Sequence, residues 1–228
     1  MTPLVLLPGM MCDARLWGPQ IAALSGAMPL HMAPLVGQNS VPALAAQVLE
    51  TAPPRFALAG LSMGGIVAME IMAQAPQRVS RLALLDTNPL AEAAEMRARR
   101  APQIAAALAG HLEDVMRDEM KPRYLAAGSA EILDLCLDMA LSLGPRVFEQ
   151  QSIALRDRPD QTEVLRKVTV PTLLLCGAED SLCPPARHEL MRDLIPGAKL
   201  VVIPEAGHLP VLERPDVTTR ALQTWLTR

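Results

Sequence analysis

The sequence predicts an α/β protein: about six strands, mostly parallel, with helices on both faces of the sheet. Three observations predict it. Short apolar runs recur along the chain, at Leu4-Val5-Leu6-Leu7, Phe56-Ala57-Leu58-Ala59, Leu82-Ala83-Leu84-Leu85 and Leu173-Leu174-Leu175-Cys176, as strands covered on both faces require. Helical patterns alternate with these runs in the first and last parts of the chain, the rhythm of parallel crossover units. Finally, Gly60-Leu61-Ser62-Met63-Gly64-Gly65 lies between an apolar run and the helical pattern Ile66–Met72. A serine in a Gly-x-Ser-x-Gly turn between strand and helix is lifted clear of the sheet on a strained bend that only small neighbours permit.

The elements follow in order. Leu4–Leu7 reads as a buried strand ended by Pro8-Gly9, and Asp13–Ser25 as a helix with Leu16, Trp17, Ile21 and Leu24 on one side. Leu30–Leu35 is a weaker strand. Pro42–Thr51 is a helix with Ser40 as its N-cap. Phe56–Leu61 is the strand that delivers Ser62, Met63–Gln74 the helix after it, and Arg81–Asp86 a further strand. From Pro89 to about Lys167 the patterns are helical only: Ala91–Ala109, Leu112–Leu125 with an interruption at Pro122, Ala130–Leu143 ending at Gly144-Pro145, Val147–Arg156, and a short helix near a capping box of Asp160 and Glu163. Alternation resumes with the strand Val170–Cys176, the helix Pro184–Leu194, the strand Leu200–Ile203 and a terminal helix from about Pro210 to Arg228. The expected organisation is a core of residues 1–88 and 168–228 interrupted by a helical insertion, 89–167.

Half of the 228 residues are hydrophobic and the formal net charge is −3, so a sizeable core is available and a nucleic-acid partner is disfavoured. No apolar stretch approaches the ~20 residues that span a bilayer, and the N-terminus has neither the basic nor the apolar region of a signal peptide. The expectation is a cytoplasmic protein with no membrane partner. Cys12, Cys136, Cys176 and Cys183 form no C-x-x-C pair, which argues for free thiols and against a structural metal site. Aromatic residues are scarce and the methionines number 13, so an apolar pocket here would have an adaptable aliphatic lining.

A serine hydroxyl is a weak nucleophile at neutral pH and needs a base, which needs an orienting group in turn. On this kind of turn the partners follow in the order serine, acid, histidine, and ligands meet the C-terminal ends of parallel strands. After Ser62, the strand ending at Cys176 runs into Gly177-Ala178-Glu179-Asp180. Asp180 is the candidate acid, with Glu179 and Asp86 as alternatives. Of the two histidines beyond it, His208 lies in the loop Glu205–Pro210 between a strand and the last helix and is the candidate base. His188 falls within a helix and reads as a solvated surface residue, while His31 and His111 read as surface or cap residues. An oxyanion hole needs two N–H donors. Met63, next after the serine, supplies one; Met10 in Pro8-Gly9-Met10-Met11 supplies the other, with Met11 as runner-up and as a candidate substrate contact. The chemistry calls for no metal and no organic cofactor.

With these motifs in order, Leu7-Pro8-Gly9-Met10, Gly60-x-Ser62-x-Gly64-Gly65, Gly177-x-x-Asp180 and Gly207-His208, the chain resembles the α/β-hydrolase superfamily, most of all its small bacterial serine esterases with a helical cap. The resemblance implies that the insertion is a cap over Ser62 that shapes an acyl pocket, and that the substrate is a small-molecule carboxylic ester. Thioesters, lactones, C–C bonds and perhydrolysis share the same constellation, and some relatives bind ligands with slow turnover or none. Two departures stand out. The family's extra N-terminal strands are missing before Leu4, leaving an edge that a second copy could cover in a homodimer. Pro8-Gly9 also replaces the His-Gly often found at the oxyanion loop.

Overall fold

In a computed structural model that describes residues 2–227, the sheet has six strands, all parallel, in the order β2-β1-β3-β4-β5-β6. They are β1 (Leu4–Leu7), β2 (Leu30–Met32), β3 (Phe56–Leu61), β4 (Val79–Leu85), β5 (Thr172–Gly177) and β6 (Lys199–Ile203). The apolar runs are explained by burial on both faces. Val5, Leu7, Phe56, Leu58, Leu82, Leu84 and Leu174 join one hydrophobic cluster; Leu4, Leu6, Ala57, Ala59, Leu61, Ala83, Leu85, Leu173 and Leu175 join the other. This is the two-residue period of a pleated strand, sorted to opposite sides.

The first face is covered by α2 (Val41–Thr51), α3 (Met63–Gln74) and α8 (Pro185–Leu194), the second by α1 (Gly18–Leu24) and α10 (Pro215–Thr227). Ser40 caps α2 as its position suggests, its Oγ accepting from the Ala43 N–H at 3.3 Å. Nearly all of α3 is buried, because α2 and, from the cap, α7 (Thr162–Leu165) cover the sides that the sheet does not. The expected helix Asp13–Ser25 divides at Gly18-Pro19 into a 3-10 turn, Ala14–Trp17, and α1. Pro19 lacks the N–H that would continue the earlier turn. The expected terminal helix divides similarly into α9 (Pro210–Glu213) and α10; its expected last residue, Arg228, lies outside the described residues.

Between β4 and β5 the chain forms the helical cap: α4 (Ala94–Ala106), α5 (Leu112–Asp114), α6 (Ala130–Arg156) and α7 (Thr162–Leu165). A wide π-helical turn at Ala107–His111 takes over where the helix expected over Ala91–Ala109 ends, and a second at Val115–Met120, then a 3-10 turn at Lys121–Arg123, replace most of the long helix expected over Leu112–Leu125. A sharp break divides α6 at Gly144, which takes φ 81° and ψ 173° ahead of Pro145. Asp160 accepts from the Thr162 N–H at 2.9 Å, but the N-cap of α7 is Gln161 and Glu163 accepts from Arg166 instead, so the expected capping box of Asp160 and Glu163 does not form. No helix among the described residues is long and apolar enough to cross a membrane.

Candidate active site

At the end of β3 the backbone turns through Ser62 with φ 55° and ψ −115°, a conformation that non-glycine residues avoid. Neighbouring elements hold it there. The Ser62 N–H donates to the Leu85 carbonyl at 2.9 Å, and the Ser62 carbonyl accepts from the Thr87 hydroxyl at 2.7 Å. A side chain at Gly60 would strike the Gly64 carbonyl, and one at Gly64 would strike the Leu7 carbonyl. The glycines of the motif are therefore close-approach positions, where α3 and β1 press against the turn.

Two further loops meet Ser62. His208 Nε2 lies 2.9 Å from Ser62 Oγ, and His208 Nδ1 lies 2.8 Å from Asp180 Oδ2. Asp180 Oδ1 accepts from the backbone N–H groups of Leu182 and Cys183 at 2.8 and 3.0 Å. Burial works to raise the Asp180 pKa, but the His208 charge and these N–H donors outweigh it and hold the carboxyl below its ordinary range. The His208 loop is pinned by Glu213. Its Oε1 accepts from Gly207 and Leu209 N–H groups at 2.9 and 3.1 Å, and its Oε2 accepts from the Ala126 N–H of the cap at 2.9 Å. The His208 N–H itself donates to the Tyr124 carbonyl at 2.8 Å.

The third loop, Pro8–Cys12, passes beside the serine: a Cβ on Gly9 would lie 3.6 Å from the Ser62 Cβ. Among the described residues the N–H groups of Met10 and Met63 have no hydrogen-bond partner, and Met63 begins α3, whose positive end points at the same place. Ser62, His208, Met10 and Met63 line one cavity of about 470 Å³, roofed by Leu90, Met96, Met120 and Tyr124 of the cap. The volume suits a small-molecule site.

The pattern of the alpha/beta hydrolase family matches residues 4–221. The chain belongs to the alpha/beta hydrolase family. It is 30% identical to the pimeloyl-[acyl-carrier protein] methyl ester esterase of Pectobacterium atrosepticum, over 96% of this chain and 91% of that one. A protein of the same name from Klebsiella pneumoniae is 27% identical, with 99% and 93% covered. Among solved structures, a thermophilic esterase from Thermogutta terrifontis superimposes with a TM-score of 0.91 at 27% identity, covering 100% of this chain and 90% of that one. The enol-lactonase of Burkholderia xenovorans LB400 gives 0.89 at 24% identity, covering 100% and 92%, and shares the fold.

Within this alpha/beta hydrolase, the other sequence candidates make no hydrogen bond to Ser62 or His208 among the described residues. Glu179 is exposed. Asp86 is fully buried, and its Oδ1 accepts from the Gly177 N–H at 2.9 Å. Burial, then the neighbouring Asp180 charge, pushes its pKa well up, and its bond to Gly177 braces β5. Met11 does not line the cavity: its side chain is buried in the core and its N–H donates to Gln151 Oε1 at 2.7 Å. Gln151 also donates from Nε2 to the Leu35 carbonyl at 2.8 Å. This glutamine of α6 braces the loop where Pro8 stands in place of a histidine. Sequence reasoning missed it because 140 residues separate it from the loop.

His188 is a correction. Expected on the surface, it is fully buried, and its Nε2 accepts from the Thr87 N–H at 3.2 Å. Burial lowers its pKa to about 4, so the ring is neutral at physiological pH. The available signal was helical spacing, since Met191 and Leu194 share its buried stripe on α8. Asp180, Cys183 and His208 also bring potential metal-ligating atoms within 4.8 Å of one another. Aspartate and imidazole already engage each other there, and burial drives the pKa of the Cys183 thiol up.

Proposed function

We propose that the protein is a serine hydrolase that cleaves carboxylic esters through an acyl-enzyme. Ser62 Oγ attacks the carbonyl carbon while His208 Nε2 takes its proton. Asp180 fixes the tautomer with the proton on Nδ1 and stabilises the imidazolium that forms. The negative oxygen of the tetrahedral intermediate is received by the N–H groups of Met63 and Met10 at the positive end of α3. His208 then gives its proton to the leaving alcohol. Water attacks the acyl-enzyme with His208 again as base, and the acid departs as Ser62 regains its proton. Residues 89–167 act as the cap that excludes bulk water from this step and shapes the acyl site.

The observation that carries this reading is the pair of separations around His208, 2.9 Å to Ser62 and 2.8 Å to Asp180, beside two unengaged N–H groups. The relatives named for methyl ester hydrolysis direct the choice of alcohol toward small ones. The test is hydrolysis of p-nitrophenyl esters from acetate to decanoate, and of the matching methyl esters. Wild type should turn over; Ser62→Ala and His208→Ala should not. Asp180→Asn should lower kcat by roughly 10³–10⁴-fold with little change in KM. Near-wild-type turnover in Asp180→Asn, with Asp86→Asn inactive, would transfer the acid's role to Asp86.

A further inference from the structure

The cavity over Ser62 is lined by four arginines, Arg100, Arg123, Arg158 and Arg187, and by a single carboxylate, Glu92. Glu92 is shared. Arg100 holds it through Nε and Nη2 at 3.1 and 2.8 Å, and Arg158 through Nη1 at 2.8 Å. All three side chains are nearly inaccessible, at 7%, 3% and 10% exposure for Arg100, Glu92 and Arg158. Two guanidiniums on one carboxylate leave one positive charge on a dry wall. Such a charge is costly to bury without a partner. Consistent with this, burial pulls the Arg158 pKa down against the opposing pull of Glu92.

The cluster also has donors to spare. Arg100 Nη1 reaches only the Met10 sulfur, at 3.5 Å, a weak acceptor. Arg158 Nη2 has no hydrogen-bond partner among the described residues. Toward the mouth, Arg187 on α8 lines the cavity with no hydrogen-bond or ion-pair partner among the described residues, and Arg123 makes one long bond, 3.4 Å, to the Ser181 carbonyl. An ion pair that only tied the cap's own segments together would need one arginine for one glutamate. The surplus makes a concave, low-dielectric surface of one sign, which concentrates anions.

We propose that this wall is an anion subsite, so that the ester cleaved at Ser62 carries a second, negatively charged group, a carboxylate or a phosphate, bound by Arg158 and Arg187 with Arg100 behind them. The inference rests on the esterase reading for its kinetics, but not for its binding. Guanidinium forks match the planar geometry of a carboxylate and the oxygens of a phosphate alike. Arg100 also touches the Met10 side chain, so the subsite adjoins the loop that carries the oxyanion donor.

The test has a kinetic arm and a binding arm. In the first, kcat/KM is measured for monomethyl succinate through monomethyl suberate against uncharged methyl esters of matched length. In the second, calorimetry follows free succinate through suberate, butyl phosphate, and uncharged diols. Each is run on wild type, Arg187→Gln and Arg158→Gln, with folding checked by circular dichroism. Arg192→Gln serves as control, an exposed arginine of α8 paired with Asp193 outside the cavity. The charged ester should be preferred by about tenfold or more at its best length, and both cavity variants should erase most of that ratio. Arg192→Gln should keep it. Arg187→Gln, at a half-exposed position, keeps the test open if Arg158→Gln fails to fold. Equal rates for charged and neutral esters, with no binding of dianions, would overturn the subsite and leave the esterase reading standing. Binding of dianions without any ester turnover would support the subsite and sink the esterase reading. Tighter binding of butyl phosphate than of any dicarboxylate would assign the charged group as phosphate.

Discussion

The backbone of Ser62 sits where a side chain is disfavoured, at φ 55°, a strain of about 1–3 kcal/mol that surrounding bonds must hold. Leu85, Thr87 and the tightly packed Gly60 and Gly64 do so. This was legible from sequence because the constraint is local: small residues flank the serine within one turn. Asp180 and His208 were legible through chain order and strand ends. His188 was not, since a histidine inside a polar helix carries no mark of burial apart from the stripe it shares with Met191 and Leu194. Its burial makes a prediction. The folded ring, with pKa about 4 against an ordinary 6.5, refuses a proton that the unfolded chain accepts. The His188 contribution should therefore be full above pH 6.5 and decline as pH falls from 6.5 toward 4, by roughly 3 kcal/mol across that window. Asp180, with its depressed pKa, adds a loss that begins only below about 3.8. Denaturant midpoints against pH should show the first slope in wild type and lack it in His188→Gln; an equal slope in both would refute the assignment.

At the scale of elements, strands and crossover helices were read to within a few residues, because burial on both faces leaves a plain apolar run. The cap was read less well. Its turns at Ala107–His111 and Val115–Met120 are wide rather than α-helical, and no residue pattern distinguishes the two. Distant braces were not readable at all. Gln151 holds the Met11 N–H and the Leu35 carbonyl, and Glu213 ties the His208 loop to the cap. Gln151→Ala leaves a buried N–H unpaired, at a cost of about 1–3 kcal/mol, and frees the loop that bears Met10. Its kcat should fall by roughly tenfold or more with a smaller change in KM, and its thermal midpoint should drop. Unchanged kcat with lowered stability would reduce Gln151 to a packing role. Glu213→Gln keeps the shape but replaces one acceptor oxygen by a donor facing an N–H. The His208 loop should loosen, and kcat should fall while the overall fold survives, read by circular dichroism beside the rate.

Across the whole molecule, cap and sheet share one core. Phe148, Ala154 and Leu155 of α6 belong to the same cluster as Val5, Leu58 and Ile66. A cap built this way unfolds with the rest. Phe148→Ala should cost about 3–5 kcal/mol and move a single transition, seen alike by tryptophan fluorescence (Trp17 and Trp225 are in the core) and by loss of activity. An early, separate loss of activity would mean that the cap melts alone. The placement of the cap between β4 and β5 was legible as a break in rhythm after Asp86; its shared core was not, because it depends on contacts between distant segments.

The central claim is that Ser62 is acylated during turnover. The direct measurement is acid quenching of wild type mixed with a p-nitrophenyl ester, followed by peptide mass spectrometry. The account predicts the acyl mass on the peptide that contains Ser62, and its absence there in Ser62→Ala. Turnover with the acyl group on another residue, such as the half-buried Cys183, or with no adduct even when deacylation is slowed by low pH, would contradict it.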